Sequence, residues 1–413
     1  LFLHRSHLTK SDMSMPGPVL VGSDRKVDID VLERARALIP VLAARSAATV
    51  ESRRVPDETI QDFHRAGLFR VLQPARFGGL ELDFAVFATI TKELARGCAS
   101  SAWVYAVIEE LFWVIATFPE EAQLEIWRDD PQVLACASLV PSGTAERDGD
   151  GYRLTGQWHF LSGSDHASWV FLTAACDNGK GGRELRNFFI RRAQVQLIDD
   201  WHVIGLAGTG SKSVKVDGVH VPAHRSVRYD DVLAGTAPGA RVHPQYSLLR
   251  APRRYLTTFS ITPVIVGLAN RALDVTTDIL RSRLNAGSVP DEFETVQQKI
   301  AECAAEVHTA SLILETHLRD SVAMLEAGTA IDDNAIAKNR LMSSYMVRLS
   351  VQAVERFCSV SGSRWIYNDH PLQVILRDAL TGATHRAFSW EAHARAYSQS
   401  IGIERRAAPP IGP

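Results

Sequence analysis

Four stretches of this chain carry side chains whose types and spacing could do chemistry. In GQWHFLSGSDHASW, residues 156–169, Trp158 and Phe160 stand two apart and are followed by Ser162 and Gly163. Aromatic rings and a hydroxyl at a strand terminus suit a flat heteroaromatic ligand needing one well-aimed hydrogen bond, although such strands also line ordinary cores. In GLAGTGSKS, residues 205–213, Gly205 and Gly210 have phosphate-loop spacing. Ser211 nevertheless precedes Lys212, and a strand follows where a helix should begin. Nucleotide hydrolysis is disfavoured, and the loop's amides and hydroxyls fit contact with another anionic ligand. His220 and His224 are spaced like metal ligands, but Pro222 interrupts any helix that would align their rings. They read as surface histidines, and no metal site is expected. Glu109 and Glu110 sit in SAWVYAVIEELFWVIATF, residues 101–118, which is otherwise apolar on all sides. Carboxylates buried there must be met by an arginine or by a cationic or hydroxylated substrate. No G-x-S-x-G elbow, H-E-x-x-H pair or G-x-G-x-x-G turn occurs, so hydrolase chemistry and direct nicotinamide binding have no support.

Three segments must position these groups. Residues 28–118 have helical texture, with Leu32, Ala35, Leu38 and Leu42 at three- and four-residue spacing. Pro56-Asp57-Glu58-Thr59 opens a second helix, with proline and acids suited to a first turn. Residues 132–228 read as strands. Over 152–160, Tyr152, Leu154, Gly156, Trp158 and Phe160 alternate with polar residues, which predicts one buried face. Further strands are expected at 169–174, 187–190 and 213–216. Residues 256–399 return to helices, with Ile300, Ala304, Val307, Ser311, Leu314 and Leu318 along one stripe and Gly328 as a stop. The order is α+β, with domains expected at 27–130 (helical), 131–235 (β) and 236–413 (helical).

Composition sets outer limits. The 413 residues are 46% hydrophobic and 22% charged, as in ordinary globular proteins. A net charge of −2 argues against nucleic-acid binding as the main role. The cysteines at 98, 136, 176, 303 and 358 form no C-x-x-C pair, so a reducing cytoplasm fits better than a disulfide scaffold. Uncharged stretches fall short of the roughly 20 residues a bilayer requires, so no membrane span is expected. Residues 1–26 read as a leader and a disordered amino terminus, with Met13 or Met15 as the natural start.

Taken in order, GLFRVLQPARFGGLE (67–81), SAWVYAV (101–107), GQWHFLSGSDHASW (156–169), WHVIGLAGTGSKSVKVDGVHVP (201–222) and HPLQVILRD (370–378) resemble the acyl-CoA dehydrogenase fold. Within it the chain is more similar to the oxygenase components of two-component flavin monooxygenases, such as the p-hydroxyphenylacetate and steroid-phenol hydroxylases. The resemblance runs over residues 31–399. It implies a helical amino-terminal domain, a central β-barrel or sandwich, a carboxy-terminal four-helix bundle and a homotetramer. Dehydrogenases of the family carry a glutamate base after the last Arg-Asp. Here RDALTGATHRAFSWE, residues 377–391, has His385 and no glutamate before Glu391, which resembles the monooxygenases.

The resemblance implies reduced FMN or FAD as cofactor, O2 as co-substrate and no metal. A flavin C4a-hydroperoxide would insert one oxygen atom into an aromatic or amine substrate. A separate NAD(P)H-dependent reductase would supply the reduced flavin. By matching position, Phe160 and Ser162 would meet the flavin, Ser162 at N5, while His385 and Ser138 would face the substrate. His385 would act as base or hydrogen-bond partner, because an unperturbed imidazole titrates near working pH. Gly208, Thr209, Ser211, Arg283 and Gln297 are the expected phosphate or ribityl contacts, some across a subunit interface. Trp103, Glu110 and Leu111 would line the substrate side, Leu111 standing where relatives have a histidine. The competing readings are an FAD-dependent acyl-CoA dehydrogenase and a non-catalytic relative of the fold.

Overall fold

The computed structural model describes residues 25–177, 181–287 and 293–403. The expected leader lies outside them up to residue 24. Helix α1 (Arg25–Ser52) is followed by α2 (Asp57–Arg65), which starts after Pro56 with Asp57 and Glu58 in its first turn, as the sequence predicts. Asp83 caps α3 (Phe84–Ala95) by accepting the Ala85 and Val86 amides, neutralising donors that a helix start leaves unpaired. Helix α4 (Ala99–Ala116) is buried at every residue except Val107, and α5 (Glu120–Trp127) closes the helical region.

The β region comprises β1 (Ala135–Asp148), β2 (Gly151–Leu161), β3 (Trp169–Asp177), β4 (Arg183–Arg191), β5 (Gln196–Ile198), β6 (Lys212–Pro222) and β7 (Ser226–Arg228). The expected barrel or sandwich is one mixed sheet, ordered β5-β6-β2-β1-β3-β4-β7, with β1 parallel to β3 and the other pairs antiparallel. Its own core includes Leu154, Trp158, Val170, Leu172, Phe188 and Val214. The predicted alternation of β2 holds through Trp158 and then breaks. Phe160 takes a left-handed φ of 64°, the register with β6 shifts between Trp158 and Leu161, and Leu161 occupies the buried place. Phe160 is therefore turned outward and is 66% exposed. An extra residue in one strand of a pair does this, and such bulges often serve to re-aim a side chain.

Short helices α6 (Tyr229–Ala234), α7 (Gly239–Val242) and α8 (Arg253–Leu256) lead into α9 (Thr258–Asn285), α10 (Phe293–Glu326), α11 (Asp333–Val360), α12 (Pro371–Ala383) and α13 (Trp390–Ser400). The predicted α10 stripe is buried at Val307, Ser311, Leu314 and Leu318. One hydrophobic core joins the amino- and carboxy-terminal helices. By length and composition α4 and the run Arg253–Asn285 could cross a bilayer, but most of each is buried within the protein. Glu109 and Glu110 interrupt α4, whose burial the sequence predicts, and both acids are met inside the fold.

Candidate active site

Ser162 lies buried just past the end of β2, and its hydroxyl begins a chain of short contacts. Ser162 Oγ is 2.7 Å from Ser211 Oγ, which is 2.7 Å from Thr209 Oγ1. Thr209 Oγ1 in turn donates to the Leu206 carbonyl at 2.8 Å. Gly163 presses β2 onto α4: with φ of 71°, a Cβ there would lie 3.0 Å from Val104 Cγ1 and Ile108 Cδ1. A side chain would be both strained and crowded.

Leu206 is the junction between this loop and the carboxy-terminal helices. It holds a left-handed φ of 53°, uncommon for a non-glycine residue and a form of strain that recurs at functional sites. Its amide donates to Asp378 Oδ1 at 2.6 Å, and Trp201 Nε1 donates to its carbonyl at 3.2 Å. Burial raises the Asp378 carboxyl to about 6, opposed by the Leu206 hydrogen bond. Gly205 meets α12 edge-on, since a Cβ there would fall 2.1 Å from the Arg377 carbonyl oxygen and 2.6 Å from Thr381 Oγ1. Asp378, Leu206 and Trp201 escaped the sequence reading of the site. The signal was the Arg-Asp pair in HPLQVILRD, which carried the resemblance without a role.

His385 follows α12 and caps a short turn, its Nδ1 accepting the Ala387 amide at 3.2 Å. The ring meets Trp103 of α4 edge-to-face at 5.9 Å, and Phe388 lies 6.0 Å away on a buried wall. Leu206 and Trp103 both pack at Gly382, one turn before the histidine. His385 is an exposed residue, with Trp103 and Phe388 beside its ring. Desolvation lowers its pKa to about 4, with Arg386 adding to the effect. The expected near-neutral pKa is thus replaced by an imidazole that is neutral at working pH. With Nδ1 accepting, the ring proton sits on Nε2.

Other expected site residues have different surroundings. Glu110, expected at the substrate, is engaged inside the protein: its Oε1 accepts from Arg253 at 2.5 Å and from Thr257 Oγ1 at 3.1 Å. Glu109 is fully buried and accepts the Leu72 amide at 2.7 Å; burial pushes its carboxyl well above the usual range. Leu111 is part of the helical core. Ser138 is buried on β1 where the β1–β3 register shifts. Arg283 donates to the Ser361 carbonyl at 3.0 Å and Gln297 is exposed on α10, so neither joins the Ser162–Leu206 chain.

Gly208 is required by packing: a Cβ would lie 2.3 Å from Thr49 Cγ2 and 2.8 Å from the Thr49 carbonyl oxygen. Gly208→Ala should therefore destabilise the fold by about 1–3 kcal/mol through overpacking against α1. Urea unfolding checks this, and an unchanged midpoint would return Gly208 to the role of a ligand contact.

The arrangement fits the flavin that the resemblance implies. Phe160 offers an exposed ring, and Ser162 offers a hydroxyl oxygen two residues on. Thr381 Oγ1, which faces Gly205, and Arg377 Nε one turn earlier on α12 are buried without a hydrogen-bond partner among the described residues. Unmet buried polar atoms of this kind call for a polar ligand edge or water. No group of metal-ligating side chains occurs among the described residues.

Comparison with known proteins agrees with this geometry. The family described as "Acyl-CoA dehydrogenase, N-terminal domain" matches residues 30–129, and "Acyl-CoA dehydrogenase, C-terminal domain" matches residues 259–390. The chain is 33% identical over 396 residues to the oxygenase component of the FADH(2)-dependent resorcinol hydroxylase of Rhizobium sp. (strain MTP-10005), covering 92% of this chain and 96% of that protein. It is 32% identical over 362 residues to the flavin-dependent monooxygenase oxygenase subunit HsaA of Mycobacterium tuberculosis (strain ATCC 25618 / H37Rv), covering 86% and 91%. The crystal structure of the HsaA monooxygenase from M. tuberculosis matches with a TM-score of 0.87 at 30% identity, over 91% of this chain and 100% of that one. These likenesses favour the monooxygenase over the dehydrogenase, and the chain belongs to the acyl-CoA dehydrogenase fold family, among the oxygenase components of two-component flavin-dependent monooxygenases.

Proposed function

We propose that this oxygenase hydroxylates a phenolic small molecule, held between His385 and the flavin ring. The observation that carries this reading is His385: its Nδ1 is occupied by the Ala387 amide, which leaves Nε2–H free to donate beside the rings of Trp103 and Phe388. An N–H donor there would hold a phenol oxygen and favour its anionic form, which activates the ring toward an electrophilic oxygen. Named relatives act on resorcinol and on p-hydroxyphenylacetate, which supports a phenol. The argument for an amine rested on Glu109 and Glu110, and both have protein partners.

When bound, reduced flavin supplies two electrons to O2, so that one oxygen atom enters the product and the other leaves as water. The chain's own groups hold and shield that reaction. Phe160 would pack on the flavin, Ser162 would meet N5, and Arg377 and Thr381 would satisfy its polar edge. Leu206, Trp103 and Phe388 would keep bulk water from the reacting carbon. Arg283 and Gln297 would reach the flavin of a neighbouring subunit, in a cytoplasmic homotetramer fed by an NAD(P)H-dependent reductase.

The reading is tested by anaerobic titration with reduced FMN and reduced FAD, followed by oxygenated buffer and a panel of phenols, indoles and amines. Hydroxylated phenol is the expected product, and conversion confined to amines would overturn the substrate class. Ser162→Ala should raise hydrogen peroxide released per hydroxylated product about tenfold, the effect of losing one buried hydrogen bond. An unchanged ratio would remove Ser162 from N5.

A further inference from the structure

The hydroxyl chain beside Ser162 has a direction. A carbonyl oxygen can only accept, so the single proton of Thr209 is committed to Leu206 O at 2.8 Å. The 2.7 Å contact between Thr209 and Ser211 then needs the proton of Ser211, and the 2.7 Å contact between Ser211 and Ser162 needs the proton of Ser162. Ser162 Oγ is left with lone pairs alone toward the site. The far end of the chain is held firmly, because the Leu206 peptide is fixed by its amide on Asp378 Oδ1 at 2.6 Å and by Trp201 Nε1 on its carbonyl at 3.2 Å. Bonds running one way also polarise and strengthen one another.

We propose that Thr209 and Ser211 are positioning residues that make Ser162 an acceptor and so select the reduced flavin over the oxidised one. This rests on the flavin reading above and deepens it. Reduced flavin carries a proton on N5 and donates there; oxidised flavin has only a lone pair at N5. To donate to oxidised N5, Ser162 must withdraw its proton from Ser211. Ser211 can then turn its own proton to Ser162 only by giving up Thr209. One buried hydrogen bond is lost in every arrangement that accommodates oxidised flavin, and none is lost with reduced flavin. The expected sequence role of Thr209 and Ser211, direct contact with phosphate or ribityl, is replaced by action through Ser162. An oxygenase that receives its flavin from a separate reductase gains from this: the spent, oxidised cofactor is the form the site holds less well.

The test is the ratio of dissociation constants for oxidised and reduced FMN and FAD, measured anaerobically on the purified full chain. The wild type should bind the reduced form at least about tenfold more tightly, each tenfold being ~1.4 kcal/mol. Thr209→Val and Ser211→Ala cut the chain at independent points, and each should lower the ratio about tenfold, mainly by tightening oxidised flavin. The midpoint potential of the bound flavin should fall by about 30 mV in parallel, the two-electron equivalent of a tenfold change. Thr209→Ser retains the donor and should keep the wild-type ratio. Urea unfolding of each variant separates these effects from misfolding, and either folded variant decides the matter. A wild type that prefers reduced flavin, with both cuts leaving the ratio within twofold, overturns the proposal and spares the hydroxylase reading. A wild type that binds oxidised flavin equally well also overturns it, and one that binds neither form removes both.

Discussion

His385→Ala is expected to lower hydroxylation at least about 100-fold, the lower end of what a positioned proton-handling side chain contributes, with flavin affinity nearly unchanged. The ring touches Trp103 and Phe388 and shares no hydrogen bond with the Ser162–Leu206 chain, so flavin should still dock. His385→Gln separates two roles. A glutamine amide can donate to the phenol oxygen but cannot take up a proton, so it should recover activity to within about tenfold of the wild type if Nε2–H is a donor. If the histidine must act as a base, glutamine should be as slow as alanine. The pH profile offers an independent check. Desolvation by its neighbours, with Arg386 adding, lowers the imidazole to about 4, so no ionisation of His385 is expected between pH 6 and 9. A step near pH 6.5 that disappears in His385→Gln would refute the donor role.

Arg253→Ala should be the most destabilising single change considered, at about 3–5 kcal/mol, the typical consequence of stripping the partner from a buried charge. Arg253 and Glu110 are both buried, on α8 and α4, and meet at 2.5 Å with Thr257 as the second donor to the carboxylate. Truncating the arginine leaves Glu110 among apolar side chains of α4. The double replacement Glu110→Leu with Arg253→Met should restore most of the loss, because an apolar pair of similar volume avoids desolvating two charges. Denaturant unfolding of the two single variants and the double completes the cycle. If each single variant lost less than 1 kcal/mol, the pair would be shown to be hydrated in solution, and a ligand role for Glu110 would reopen.

The helical ends, the β centre and the buried nature of α4 were all legible in residue spacing. Period-two alternation and three- to four-residue stripes are local properties of chain geometry, so they survive in a single sequence. Ser162 was legible as a hydroxyl ending an aromatic strand. His385 was reachable only by resemblance, since nothing in RDALTGATHRAFSWE marks one histidine as special. Phe160 shows where local reading fails. Alternation placed it on the buried face, but the bulge after Trp158 moved Leu161 into that place and turned the ring outward.

By itself the sequence determined which segments fold as helix or strand and which hydroxyls and rings were available to a flat ligand. Only the tertiary structure decided what each polar group faces. Glu110 found Arg253 from 143 residues away and Leu206 found Asp378 from 172. The Ser162, Ser211 and Thr209 hydroxyls acquired a common direction from a carbonyl none of their spacings reveals. The reason is that charge pairing, desolvation and hydrogen-bond polarity depend on distances of a few ångströms between residues remote in the chain, and no local period encodes those distances.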